Sequence, residues 1–410
     1  MDNRTYLWLF LTIDIIEKSP SNFRRKSDID SLLSNLPSEI SDAYETILRR
    51  STANFKARIL LELIVAATRP LSLEEANMAL AIATRKESCR SQSALELWPQ
   101  QSFAATVQNM CGLFVSVHDG KLFLIHQTAR EFLTRTFEPA STKLHKWKGY
   151  LDMAAAHGTM SRICLDYLNF QDIASFHQSQ LGQGGYAEST NEYYLLDYAA
   201  NNWATHYTSQ PAELAKVSQQ AAMRLCNKSS LQLYWFAIYC ASRDVNPSEV
   251  CAGLGIASFL GFTYVAEGFL NEGADVNAQC GELGHALRMA SLEGHDETVG
   301  MLLRRGADIN LKGGIYRENA LEAASGRGHD QVVRVLLDSG ATDVDGEALY
   351  AASSEGYDQI VQMLLDSGAA DAAGEALSAA SGRGDDQIVQ MILDRSGIFL
   401  TLRVKRITEH

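Results

Sequence analysis

The sequence contains no G-x-x-x-x-G-K-[ST] run, so it lacks the loop whose backbone amides cradle a β-phosphate and whose Lys and Ser or Thr meet nucleotide and Mg²⁺. Gly182-Gln-Gly-Gly185 has no lysine after it, and Asp119-Gly-Lys121 is followed by Leu in what reads as a hairpin turn. There is no G-x-S-x-G elbow and no spacing that orders a base beside a nucleophile, so no catalysis and no cofactor are expected. No C-x-x-C pair occurs. The seven cysteines, at positions 89, 111, 164, 226, 240, 251 and 280, read as reduced, mostly buried thiols rather than a disulfide framework. Positive charge is also short: a net charge of -13 and a pI near 5.3 provide no broad field to gather a phosphate backbone, which argues against nucleic acid.

Long apolar runs are missing too. The most apolar stretch, Tyr6 to Ile16, is too short to span a bilayer and contains Asp14. The Met-Asp-Asn start has neither the basic beginning nor the small-residue cleavage site of a signal peptide, so the glycosylation-like triplets at Asn3 and Asn227 read as chance matches. The expected location is the cytoplasm, with the nucleus as the alternative, and no membrane partner is expected. A chain that opens on a core-grade segment is expected to be the tail of a longer ancestral protein.

What is present is a repeat. Glycine is sparse in the N-terminal half and frequent after Gly253, and 410 residues with 46% apolar content suffice for several cores. Ala286-Leu-Arg-Met-Ala-Ser-Leu-Glu-Gly-His295 returns as Ala320 to His329, Ala348 to Tyr357 and Ala376 to Asp385. The second half of each unit recurs as well, from Glu297 to Ala307, Gln331 to Ala341, Gln359 to Ala369 and Gln387 to Leu393, and a worn copy precedes them from Gly255 to Asp275. Each unit predicts two short antiparallel helices, the first with a small-residue face, the second with a Val-Val-x-x-Leu-Leu stripe ended by glycine. Neither helix buries its stripe alone, so the units must stack.

These residues resemble the ankyrin repeat family over about Leu254 to Leu393. Gly273-Ala-Asp-Val-Asn277 and Gly306-Ala-Asp-Ile-Asn310 match the family's turn into its projecting hairpin, while the usual Thr-Pro-Leu-His opening is missing, so the bonds normally made there are expected to be made differently. In relatives such hairpins and the first helices form a concave partner-binding face. The resemblance therefore implies a protein partner meeting Asp275, Asn277, Arg288, Asp308, Asn310, Glu322, Tyr350 and Ser378, with no small molecule. His295 and His329 fall at the helix break without a close Cys or His partner, which assigns them to turn hydrogen bonds rather than to metal. The period is 34 residues from Ala286 to Ala320 but 28 in the next two units, a loss between Gly-Ala and Ala-Leu that should remove most of the hairpin finger. From Gly346 to Asp394 nine Asp or Glu stand against one Arg. Such a run reads first as a solvated face and second as a match for a basic patch on a partner.

Upstream, Ile40, Ala43, Tyr44, Ile47 and Leu48 share one helical face, a second helix is predicted over Lys56 to Ala67, and Ser72-Leu-Glu-Glu75 opens a third with a capping-box pattern. Gly112 to Ile125 alternates around Asp119-Gly120, a hairpin signal, and helices followed by a hairpin describe a winged helix-turn-helix. A recognition helix from Ser72 to Ala83 holds no Lys or Arg, which weakens a DNA-binding reading. Leu36 to Tyr44, Arg69 to Glu75, Cys111 to Val115 and Phe123 to Leu133 resemble the stretch after the nucleotide-binding core in fungal NACHT-type, NOD-like receptor proteins. By that resemblance the chain begins where an NTPase core is ending, and His126 supplies either a structural hydrogen bond or a surviving interdomain contact. His157 to Leu165 and Leu195 to Trp203 carry the likeness onward. Tyr234 to Ala241 is predicted as a buried helix and residues 175–191 as a loop.

The expected fold is mostly α: an N-terminal helical, winged-helix domain, a helical bridge and a C-terminal ankyrin-repeat solenoid. The expected segments are 1–35, a remnant helix; 36–137, winged-helix-like; 138–250, the bridge, lengthening the solenoid with degenerate repeats; 251–398, about five ankyrin repeats; and 399–410, a tail or cap. The expected role is a non-catalytic scaffold or sensor. Its alternative is the ligand-sensing half of a nucleotide-dependent receptor switch whose NTPase is missing or on another polypeptide.

Overall fold

A computed structural model describes residues 3–17, 39–50, 54–85, 89–134, 147–173, 193–227, 233–243, 245–246, 250, 253–315, 317–369 and 373–396. The loop expected over residues 175–191 and the tail expected over 399–410 lie outside them. The chain divides into two compact units, Met1–Ala215 and Lys216–His410.

In the first unit, α1 (Asn3–Glu17) packs on α2 (Ile40–Arg49). Ala43, Tyr44, Ile47 and Leu48 of α2 are buried as their spacing predicts, and Ile40 is half-buried. Tyr44 forms an aromatic cluster with Phe114 and Phe132, with ring centroids 5.0 and 5.5 Å from its own. Helices α3 (Asn54–Ala66), α4 (Leu73–Thr84) and α5 (Gln100–Cys111) lead into strands β1 (Val115–His118) and β2 (Lys121–Leu124) and then α6 (Gln127–Thr134). The hairpin turns at Asp119 and Gly120, both at positive φ, 49° and 71°, the conformation a two-residue hairpin turn demands. Leu71 and Leu73 bond to the second limb, Leu122 N donating to Leu71 O at 2.9 Å and Leu73 N to Gly120 O at 2.8 Å, which completes the wing.

The cap of α4 is the one its sequence signals. Ser72 Oγ accepts from Glu75 N at 3.1 Å, and Glu75 Oε2 accepts from Ser72 N at 2.8 Å. Glu75, 6% exposed, also takes two donors from Arg69, at 2.9 and 2.7 Å.

The bridge expected over 138–250 is not one segment. Helices α7 (Met153–Leu168) and α8 (Leu196–Ser209) pack on each other, and α7 also packs on α3 and α4. Both belong to the first unit. Their aromatic and small side chains, Tyr167, Tyr198, Trp203 and Ala199 among them, are buried on that core. Thr159 Oγ1 donates to Glu62 Oε2 of α3 at 2.9 Å, and His157 and His206 meet through their Nδ1 atoms at 2.9 Å.

In the second unit the end of α9 (Ala212–Cys226) and α10 (Tyr234–Ala241) precede five helix pairs. Trp235 Nε1 donates to Leu225 O at 2.9 Å, and Phe236 meets Phe259 edge-on at 6.4 Å, so this pair extends the stack at its N-terminal end. The pairs are α11 (Leu254–Phe259) with α12 (Thr263–Asn271), α13 (Ala286–Leu292) with α14 (Asp296–Arg304), α15 (Ala320–Arg327) with α16 (Asp330–Asp338), α17 (Glu347–Glu355) with α18 (Asp358–Asp366), and α19 (Ala373–Arg383) with α20 (Asp386–Ser396). First helices touch first helices and second touch second along the row. Val332, Val333 and Leu336 of α16 are buried, at about 1.5–3 kcal/mol each for such side chains.

Cys89, Cys111, Cys164, Cys226 and Cys240 are free thiols. Burial pushes Cys111 up to about 12 and raises Cys164 and Cys226 further, so none of these three is a ready nucleophile. Cys280 departs from the reduced-thiol expectation: it is disulfide-bonded.

Candidate functional site

The hairpin residues hold the fingers together. Asn277 N donates to Asp275 Oδ1 at 3.0 Å, and Asn310 N to Asp308 Oδ1 at 3.1 Å, the same side-chain-to-backbone turn in successive repeats. Asn277 Oδ1 accepts from Asp308 N at 2.9 Å, which staples one finger to the next. Asp275, Asp308 and Asn310 are exposed, whereas Asn277 is half-buried in the staple.

Arg288, Glu322, Tyr350 and Ser378 occupy one column of the first helices, and their surroundings differ. Arg288 is 2% exposed; Nη1 donates to Leu283 O at 2.7 Å and Nη2 pairs with Glu318. Glu322 is 6% exposed, closes a capping box with Asn319 and accepts Lys312 Nζ at 3.0 Å. These two expected contact residues are corrected to internal positions, because long side chains here fold back onto a neighbouring repeat's backbone and charges. Tyr350 and Ser378 are exposed.

Around Tyr350 lies a shallow depression of about 220 Å³, bounded by Glu318, Glu322, Glu347, Ser354 and Glu355. Glu347 and Glu355 are exposed and make no ion pair among the described residues. Burial raises the Glu322 carboxyl, partly offset by Lys312, and hydrogen bonds to Asp345 and Glu322 hold the Lys312 ammonium above its ordinary value. The result is an acidic, aromatic-floored surface built from α15 and α17. Sequence reasoning missed Glu318, Glu347 and Glu355; the acidic count from Gly346 onward was the signal, but it does not say which acids converge.

The first helices that lack the family opening are started in different ways. Asp343, 8% exposed, accepts from Ala348 N at 3.1 Å and Leu349 N at 2.9 Å, capping α17 from outside the helix. Asn319 caps α15 by a capping box, and His285 places its ring against the Ala278 and Lys312 carbonyls at 3.2 and 3.4 Å. The loop of residues 339–346 takes the place of 305–319, which carries the Gly313 to Glu318 bridge of a finger.

His126 is exposed and its Nδ1 accepts from Thr128 N at 3.2 Å, a local cap at the start of α6. Thr128 Oγ1 in turn meets Tyr44 OH at 2.9 Å. Among the described residues no group of His, Cys, Asp and Glu is arranged to hold a metal ion, and no helix is long and apolar enough to cross a membrane.

Comparison with known proteins follows the same division. Residues 287–373 match the family model for ankyrin repeats, in three copies. Residues 44–142 match the model described as the winged helix domain of GPI inositol-deacylase. The chain is 27% identical over 306 residues to the azaphilone pigments biosynthesis cluster protein L of Monascus ruber, across 70% of this chain and 63% of the relative. It thus spans less than two thirds of the length of that relative. The chain carries a winged-helix domain in its N-terminal part and ankyrin repeats in its C-terminal part.

Proposed function

We propose that this chain is a non-catalytic interaction scaffold whose ankyrin repeats bind a basic segment of a protein partner. Ankyrin repeats generally mediate protein contacts. The observation that carries the reading is the depression around Tyr350, where Glu347 and Glu355 are exposed without counter-ions among the described residues. A Lys or Arg side chain entering there meets a ring face and uncompensated carboxylates, an arrangement that favours steering and register more than bulk affinity. The exposed hairpin residues Asp308 and Asn310 extend the polar rim.

The test is selection of peptides from a random displayed library on the intact protein. Enriched sequences rich in Lys or Arg, losing at least tenfold in affinity with Tyr350→Ala or Glu347→Lys and weakening with salt, support the reading. Enriched peptides indifferent to both substitutions overturn it.

A second reading takes the chain as the regulatory half of a nucleotide-dependent receptor. The winged-helix match ahead of the repeats favours it, and in that setting the exposed ring edge of His126 would face another domain. A phosphate loop encoded in frame upstream in the genome supports it, and its absence there counts against it.

A further inference from the structure

A cavity within the winged-helix unit serves neither reading. It holds about 590 Å³ between α4, which supplies Ala81, Thr84 and Arg85, Lys56 of α3, and an irregular strap over residues 89–99. That is within the range of about 300–1,000 Å³ typical of small-molecule sites. The strap is fixed at both ends. Near its C-terminal end, Asn77 of α4, 6% exposed, donates from Nδ2 to Trp98 O at 2.8 Å and accepts from Trp98 N at 3.1 Å. Near its N-terminal end, Gln92 N donates to Asp172 at 2.7 Å and Gln92 Oε1 accepts from Tyr167 OH at 2.7 Å. These two polar anchors fix the course of the strap at both ends. With them, the space is preformed.

The lining sorts into an apolar body and a cationic edge. Ala81, Ala94, Leu95, Leu97 and Trp98 present carbon, and the charged lining residues are Lys56, Arg85 and Glu96. Lys56 Nζ sits 4.7 Å over the Trp98 ring. Arg85 gives Nη2 to Asp166 at 3.0 Å, but Asp166 also faces Arg162 at 3.7 Å, so two guanidinium groups share one carboxylate. Arg85 Nη1 is buried with no acceptor among the described residues, an arrangement that most folded sites avoid. An oxyanion arriving at this edge supplies the second countercharge that the one shared carboxylate does not.

We propose that this cavity binds a small organic anion, a carboxylate or sulfonate carried on a flat apolar body. Its head meets Arg85 and Lys56, and its body lies between Ala81 and the Leu95 and Trp98 side of the strap. This departs from the sequence expectation that no small molecule binds.

The probe is 8-anilinonaphthalene-1-sulfonate, titrated by fluorescence into the native full chain, with uncharged N-phenyl-1-naphthylamine as its neutral counterpart. The expected result is one saturable site per chain, at least tenfold tighter for the sulfonate than for the neutral ring. Arg85→Met is expected to weaken sulfonate binding tenfold or more, and Lys56→Met severalfold. Because Arg85 also pairs with Asp166, Leu95→Glu is the independent variant: it leaves that pair alone, adds a like charge and should abolish sulfonate binding with the unfolding midpoint unchanged. Absence of a saturable site, equal affinity for both probes, or sulfonate binding that survives Leu95→Glu overturns the proposal.

Discussion

His329 Nε2 lies 2.9 Å from the Leu292 carbonyl of the preceding repeat, and since a carbonyl only accepts, Nε2 carries the proton. His295 repeats the bond to Phe259 O at 3.0 Å. In the last pair the chain has Asp385 in place of histidine, and Arg383 Nη1 reaches Ser354 O, the corresponding carbonyl, at 2.9 Å. The ring lies so close over Gly294 that a Cβ there would come within 2.6 Å of His329 Nδ1, and Gly294 also holds φ at 78°. His329→Ala is therefore expected to lose about 1–3 kcal/mol, leaving a carbonyl unsatisfied and a gap above the turn. Arg383→Ala, at an exposed site, should cost less than half as much. Urea unfolding of the full chain checks both; equal effects would mean that the shared carbonyl bond alone, and not the burial around it, sets the cost.

Asp343 performs for α17 what Asn319 performs for α15, from a linker too short to place a residue in the normal capping geometry. Asp343→Ala should cost about 0.5–2 kcal/mol, the range of a lost helix cap, and Asp343→Asn should recover part of it by keeping an oxygen acceptor. Hydrogen exchange supplies the local readout. Faster exchange confined to Ala348 and Leu349 is expected, and unchanged protection there would show that the carboxylate is incidental.

The repeats were legible because each copy states the same small face, stripe and glycine, so agreement between copies replaces missing information. The hairpin at Asp119-Gly120 and the Ser72 cap were legible for a different reason: only a few residues satisfy those local geometries. What could not be read was which long polar side chain in a repeated column points outward. Arg288 and Tyr350 stand at equivalent positions, yet Glu318 and the Leu283 carbonyl draw Arg288 inward, and no such partners surround Tyr350. The division of residues 138–250 between two units was equally hidden. Helical spacing in α7 and α8 shows that they are buried, not which core receives them.

The Ser72 and Glu75 box carries more than a cap, since Glu75 also accepts both Arg69 donors while 6% exposed. Ser72→Ala should cost about 1 kcal/mol, the ordinary value of a cap. Glu75→Ala should cost clearly more, because it removes the reciprocal bond to Ser72 N and both acceptors of Arg69 on Glu75, leaving that guanidinium Asp197 at 3.1 Å. A double-mutant cycle with Arg69→Met measures the difference. Equal losses for Ser72→Ala and Glu75→Ala would reduce the Arg69 pair to a surface contact.

His206 is fully buried; its Nε2 lies 2.9 Å from Tyr198 OH, and its Nδ1 2.9 Å from His157 Nδ1. One of the two facing Nδ1 atoms must donate and the other accept, so the pair is satisfied only while at least one ring is neutral. Burial, with His157 as a smaller second cause, holds His206 down to about 3, and burial also lowers His157. In the unfolded chain the same ring takes its proton near the ordinary value of about 6.5. Between those values the unfolded state binds the extra proton and the folded state does not. The stability contributed by the neutral ring is therefore complete above about pH 6.5 and is lost as pH falls toward 3, by at most about 1.4 kcal/mol per pH unit. Carboxylates titrate in the lower part of that window, so the informative comparison is between the native chain and His206→Gln from pH 7 to 5. The first unit of the variant should start less stable at pH 7 and show a shallower decline. Parallel declines would mean that the buried ring already exchanges protons with solvent in the folded state.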